Sequence, residues 1–197
     1  MRWANGIRGI VLALAVWGQE TAVADTPKKT GLAYADRATW RALLQWPDWC
    51  ERGFALTGKT EAGLRFYTLQ PSTYLVEVSC APGAYQGSHA YIYWNETKSP
   101  PEATLLEFPV YEPDEDHPAK LRKTNLTELW GSPVFSEKTG QLVVLSLSRD
   151  LGDCGWMGAY TFPQGKVRLD LFRIKTACDG KLVNQPDRWR RVSVPGG

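Results

Sequence analysis

The chain has 197 residues, 43% of them hydrophobic, and its 23 Lys and Arg against 21 Asp and Glu leave a formal charge of +2. That balance excludes an electrostatically driven nucleic-acid binder, and the apolar fraction excludes a disordered chain. No apolar run reaches the roughly 18 residues of a spanning helix, and 13 Pro, 18 Gly, eight Tyr and nine Trp favour strands and turns.

The N-terminus reads as an export signal. Arg2 and Arg8 flank the start, residues 10–17 are apolar, and Ala22-Val23-Ala24 is a small-x-small site before Asp25. Gly6, Gly9 and Gly18 argue against a buried helix, each costing about 1 kcal/mol relative to Ala. Cleavage is expected after Ala24, which makes residues 1–24 a signal peptide. With no Cys after the apolar core to take a lipid, the mature protein is expected to be soluble, in the periplasm or secreted, with no stable membrane insertion. One domain is expected over residues 31–194, after a polar lead at 25–30 and before a tail at 195–197.

The first predicted element is a helix. Trp40, Leu43 and Leu44 share one face of residues 39–46, and Pro47 stops the run. The period then changes to two. Strands are predicted at 64–69, 74–79, 90–94 and 105–110. After a turn at 137–140, further strands are predicted at 141–147, 159–162 and 167–174, the last two separated by a turn at 163–166. Strands without intervening helices imply a mainly β fold, an antiparallel β-sandwich or open barrel. The halves also resemble each other. Residues 74–79 can be laid on 141–146, and 105–110 sits where 167–172 sits, which suggests two similar meanders.

Cys50, Cys80, Cys154 and Cys178 are even in number and follow an export signal, so disulfides are the default. Three pairings are open. Cys50–Cys80 with Cys154–Cys178 is favoured because each bridge closes a loop within one half. No Cys-x-x-Cys is present, and His89 and His117 have no ligand spacing, so neither a redox site, a metal site nor a cofactor is expected.

Residues 149–155 are the most distinctive segment. Arg149 beside Asp150 and Asp153 is an arrangement that can hold a cation or a sugar, or supply an acid and a base, although Asp and Gly are also turn residues. Together with Tyr85 in a Gly-rich loop, these form the candidate binding residues; no catalytic residue is assigned. Ser88 and His89 are adjacent, so on a strand they point to opposite faces and do not make a nucleophile and base. The acidic loop 112–118 lacks the spaced oxygens of an EF-hand. Of the aromatics Tyr91, Tyr93, Trp94, Trp130, Trp156 and Tyr160, only those on an exposed strand face can serve as a carbohydrate-stacking platform.

Residues 75–80 followed by Gly83-Ala84-Tyr85-Gln86 resemble the Cys and Gly-Ala-Tyr signature of the bacterial exported family catalogued as domain of unknown function 1176. Arg149-Asp150-Leu151-Gly152-Asp153-Cys154-Gly155 is similar to that family's Arg-Gly-Leu-Gly-Asp-Cys-Gly, with Asp150 where the pattern has Gly. Ala177-Cys178-Asp179-Gly180 resembles its closing Cys motif, and residues 171–180 resemble the short cyanobacterial type, which lacks an additional N-terminal region of longer members. The resemblance implies export and a compact Cys-bearing domain, and it carries no activity. The residues themselves favour a non-enzymatic module of the cell envelope that binds a ligand or protein there. The alternative is an envelope glycan hydrolase using Asp150 and Asp153, or Glu77, as its carboxylate pair.

Overall fold

The computed structural model describes residues 36–58, 62–181 and 186–194. The expected signal peptide, the polar lead and the tail lie outside the described residues. Helix α1 (Arg37–Leu44) starts where the Asp36 carboxylate accepts the Thr39 N–H at 3.0 Å, and it ends at Gln45 in the left-handed region. Pro47 breaks the chain and opens α2 (Asp48–Ala55), whose first turn carries Asp48 and Glu51 at the positive end of the helix dipole. This second helix escapes periodicity because it is two turns long and buries only Cys50 and Phe54.

Strands β1 (Leu64–Gln70), β2 (Thr73–Ala81), β3 (Gly87–Asn95) and β4 (Glu102–Leu105) form a first antiparallel meander. A two-stranded sheet follows, β5 (Phe108–Pro113) with β6 (Leu121–Leu126). Then β7 (Leu129–Ser136), β8 (Gln141–Leu147), β9 (Gly155–Thr161) and β10 (Arg168–Lys175) form a second meander, extended by β11 (Arg190–Val192). The architecture is sandwich-like and is not a closed barrel.

The strand expected over 105–110 is two strands. Leu106 donates its N–H to the Tyr91 carbonyl at 2.9 Å, and the chain leaves β3 there to begin β5 at Phe108. An apolar run hides this break because Leu106 and Phe108 are both buried on either side of it.

Two cores result. On one face of the first meander, Trp40, Trp46 and Cys50 from the helical segment meet Phe66, Val76, Val78 and Trp94, with the Trp40 and Phe66 rings 4.7 Å apart. On the opposite face, Phe108 stands between Tyr91 at 5.2 Å from the first meander and Tyr160 at 5.0 Å from the second. Strand β2 is therefore covered on both faces, which is why residues 74–78 are all buried and do not alternate cleanly.

Arg37 fastens the helices to the sheet. Its guanidinium lies 3.7 Å above the Phe54 ring, pairs with Glu51 at 2.7 Å, and donates to the carbonyls of Ala62 and Ser79 at 2.7 and 3.1 Å. The disulfides take the favoured pairing. Cys50–Cys80 ties α2 to β2, and Cys154–Cys178 closes the second meander.

The meanders join along one edge of β3. Residues 92–95 of that edge pair with β4, and only three pairs, Gly87–Gly131, Ser88–Trp130 and His89–Leu129, connect it to β7. From Ser132 onward β7 pairs with β8 instead, leaving the end of β8 without a β7 neighbour. The Gln86 side chain fills that wedge. Its Nε2 donates to the Leu145 carbonyl at 2.8 Å and to Ser132 Oγ at 3.0 Å, and its Oε1 accepts the Leu147 N–H at 2.8 Å. A side-chain amide here makes the two bonds a strand peptide would make. Gln86→Leu should therefore cost about 2–3 kcal/mol in urea unfolding, because Leu145 and Leu147 each lose a partner; an unchanged midpoint would show that the wedge is not a joint.

Candidate functional site

The β2–β3 loop and the β8–β9 loop meet at one end of the domain. The first is tight: a Cβ on Gly83 would lie 1.8 Å from the Gln86 carbonyl oxygen, so only glycine fits. The Tyr85 hydroxyl donates to the Leu147 carbonyl at 3.2 Å, while its ring is 46% exposed. Trp130, 44% exposed on β7, reaches to 3.2 Å from that same Cβ position on Gly83. Leu56, at the end of α2, and Leu151 are two further exposed apolar side chains, and Gly152, next to Leu151, packs near Leu147. Beside the loop lies an open groove of about 350 Å³, walled by Thr57, Ser79, His89 and the loop itself.

Of the four residues expected to bind, Tyr85 and the 149–155 segment are thus brought together through Leu147. Their roles differ. Asp153 is fully buried. Its carboxylate accepts from Arg149 Nε at 2.7 Å, from a second Arg149 nitrogen, and from the Gly180 N–H at 2.7 Å, while Arg149 also donates to the Cys178 carbonyl at 3.0 Å. This bidentate pair holds the Asp153 carboxyl far below the usual carboxylate range and raises the guanidinium. It clamps the two ends of the Cys154–Cys178 loop. Asp150 is exposed on the same turn. Gly155 completes the segment, since a Cβ there would lie 2.1 Å from the Ser146 carbonyl oxygen.

An acid whose oxygens are all engaged cannot exchange protons with a substrate, so Asp153 does not supply the hydrolase reading with its acid or base. Asp153, Cys154 and Cys178 do place potential ligand atoms within 4.8 Å of one another, but the two sulfurs are bonded to each other and offer no thiolate.

A second polar centre includes His89, one of the groove residues. Glu77 is 2% exposed on β2, and Arg65 on β1 and Tyr91 on β3 are its register partners. Its Oε2 accepts the hydroxyls of Tyr67 and Tyr91, both at 3.2 Å; its Oε1 faces Arg65 at 3.7 Å and His89 Nδ1 at 3.6 Å. Burial raises the carboxyl, opposed by Arg65 and the two hydroxyls, and the same burial raises both tyrosines. Ser88, as expected, faces away from His89 and accepts the Ala81 N–H at 3.1 Å. Cross-strand register assembles the Glu77 centre from residues 65 to 91, and no local motif marks it. The same holds for Gln86 and Trp130, whose partners lie 45 or more positions along the chain.

What these features define is a disulfide-stapled antiparallel β domain with a rigid loop junction at one end. The chain belongs to the family described as protein of unknown function DUF1176, which matches residues 11–194. It is 29% identical over 122 residues to an uncharacterized protein of Escherichia coli strain K12, YpfG, covering 58% of this chain and 30% of that protein. The chain thus spans less than a third of the length of the curated relative it matches. No solved structure matches the chain.

Two outcomes follow. Asp153→Asn should lower the melting temperature by several degrees and remove an acid limb from the stability profile. A carboxyl held low in the fold contributes fully above its ordinary value of 3.8 and loses that contribution as pH falls; an unchanged melting temperature would free the residue for ligand. Glu77 has the opposite sign. Its ionisation opposes folding, so wild-type stability should decline as pH rises from 4.5 through the raised value. Urea unfolding of Glu77→Gln should match wild type at pH 4 and exceed it at pH 7; a variant equal to or weaker than wild type at pH 7 would mean that ionisation of Glu77 does not oppose folding.

Proposed function

We propose that this protein, as a member of the short cyanobacterial type, is exported by a signal peptide cleaved after Ala24. In this reading it acts in the periplasm or outside the cell as a non-enzymatic binding module of the envelope, with its ligand seated at the Tyr85 end. The observation that carries the reading is that junction. The exposed Tyr85 ring stands there on a loop fixed by Gln86, by its own hydroxyl and by a disulfide at the end of β2, with the exposed Trp130 ring beside it on β7. Preformed surfaces of this kind bind without the cost of ordering a loop, and two disulfides suit an oxidising compartment.

Arg149, Asp150 and Asp153 enter as the buttress of the seat and its rim rather than as its centre. The test uses purified sacculi and outer-membrane vesicles in a co-sedimentation assay with the exported protein. Sedimentation with either, falling at least fivefold for Tyr85→Ala and little for Asp150→Ala, is expected. Equal retention of Tyr85→Ala, or none of wild type, would overturn the reading, as would an intact mass from cells that retains residues 1–24.

A further inference from the structure

We infer that the partner of the Tyr85 end is the surface of a lipid bilayer, which receives apolar side chains from four separate segments of the chain. The inference rests on the binding reading above and names the partner.

The exposed apolar side chains are not spread evenly. Six large ones are exposed among the described residues, and four of them stand at this end: Leu56 at 78%, Leu151 at 54%, Tyr85 at 46% and Trp130 at 44%. They come from the end of α2, the β8–β9 turn, the β2–β3 loop and the start of β7. The fold brings these segments together. Helix α2 lies against the end of β2, where a Cβ on Gly53 would be 2.9 Å from the Cys80 carbonyl oxygen. Thr57, next to Leu56, walls the same groove as the β2–β3 loop. Trp130 reaches Gly83 of that loop, and the Tyr85 hydroxyl joins the loop to Leu147, on which the turn carrying Leu151 packs at Gly152. Pro82, Gly83 and Ala84 are exposed beside Tyr85, so the loop presents four consecutive uncharged residues to its surroundings.

The side chains present suit a bilayer. Leucines supply aliphatic tips for the acyl boundary, while tyrosine and tryptophan settle at headgroup level, where one side is apolar and the other wet. Asp150, exposed next to Leu151, limits the depth, because its carboxylate stays on the water side. The area disfavours a second copy of the chain. At these exposures the four side chains present roughly 500 Å², against about 800 Å² on each partner of a standard protein interface. Reversible docking at a membrane interface scales with whatever apolar area enters and has no such threshold. The tips are also fixed in advance, by the Gln86 amide, the Tyr85 hydroxyl and the Cys50–Cys80 bridge, so contact orders no loop.

The test is co-sedimentation of the exported protein with protein-free vesicles of phosphatidylethanolamine and phosphatidylglycerol, run beside sacculi and outer-membrane vesicles. Wild type should bind the lipid vesicles, and brominated lipid should quench Trp130, the most exposed tryptophan among the described residues. Leu56→Gln and Leu151→Gln, which add no charge, should each weaken that binding at least fivefold. Val134→Gln, about 13 Å along β7 from Trp130, should leave it unchanged. High salt should change it little, because inserted apolar surface is not screened. Should a leucine variant fail to fold, Trp130→Phe decides: it should lose most of the quenching, and undiminished quenching overturns the placement. Vesicle binding that survives both leucine changes, that Val134→Gln weakens equally, or that high salt abolishes also overturns it. Binding to sacculi or outer-membrane vesicles without binding to lipid vesicles overturns the lipid assignment and leaves the binding reading standing. A mass that rises with protein concentration and falls in Leu56→Gln, without vesicle binding, gives the surface to a second copy and overturns the assignment. Binding to none of the three overturns both readings.

Discussion

The two meanders share one strand edge, and that edge is too short for both of its neighbours. Strand β3 gives residues 92–95 to β4 and three pairs to β7, after which β7 turns away to β8. A sheet that divides in this way leaves unpaired peptide groups where the strands part, and in a half-buried place those groups must be satisfied. The Gln86 amide satisfies them on the β8 side. To deliver it, the β2–β3 loop must be tight, which explains glycine at 83, and must lie against β8, which the Tyr85 hydroxyl secures. The two aromatic faces at this end, Tyr85 and Trp130, are exposed as a consequence of closing the seam.

The same logic accounts for the second distinctive segment. A buried Asp153 alone would be costly; paired in bidentate fashion with Arg149 and capped by the Gly180 N–H, it becomes the anchor that sets the approach of residues 178–180 to the turn. One disulfide then links β2 to α2 through Cys80, and the other links the turn before β9, at Cys154, to the stretch after β10. The residues through which the chain resembles its family are therefore largely geometric. They shape one end of the domain, and Tyr85 is the member of the set that also faces outward.

Much of this fold was legible in the sequence. The strands near residues 64–69, 74–79, 90–94, 141–147 and 167–174 carry β-branched and aromatic residues between turn formers, and the structure has strands there. Strands β6 and β7 were missed for an opposite reason: Leu121–Leu126 is largely exposed and polar, and β7 contains Gly131 and Pro133. Pro133 sits in β7 where β7 pairs β8 only, an edge position that tolerates the missing N–H. Of the site, Tyr85 and the 149–155 segment were visible as local motifs. Their contact through Leu147 was not, because nothing local in a sequence reports which loop a carbonyl will face. The Glu77 centre was invisible for the same reason, since register brings Arg65, Glu77 and Tyr91 into line.

Glu77 shows how stability and site geometry share one set of bonds. A carboxyl at the middle of a doubly covered strand opposes folding when charged, and an apolar residue would fit the burial better. Two tyrosine hydroxyls and a guanidinium reduce that cost without removing it. What the arrangement yields is order in the neighbouring side chains: Tyr67, Tyr91 and His89 each have one polar atom directed at the same carboxyl, across three strands. A ring whose inner nitrogen is so directed presents its outer nitrogen in a fixed direction, toward the groove over Gly87. Rigid presentation of this kind belongs to the sheet, because the register of β1, β2 and β3 sets where each of these side chains stands.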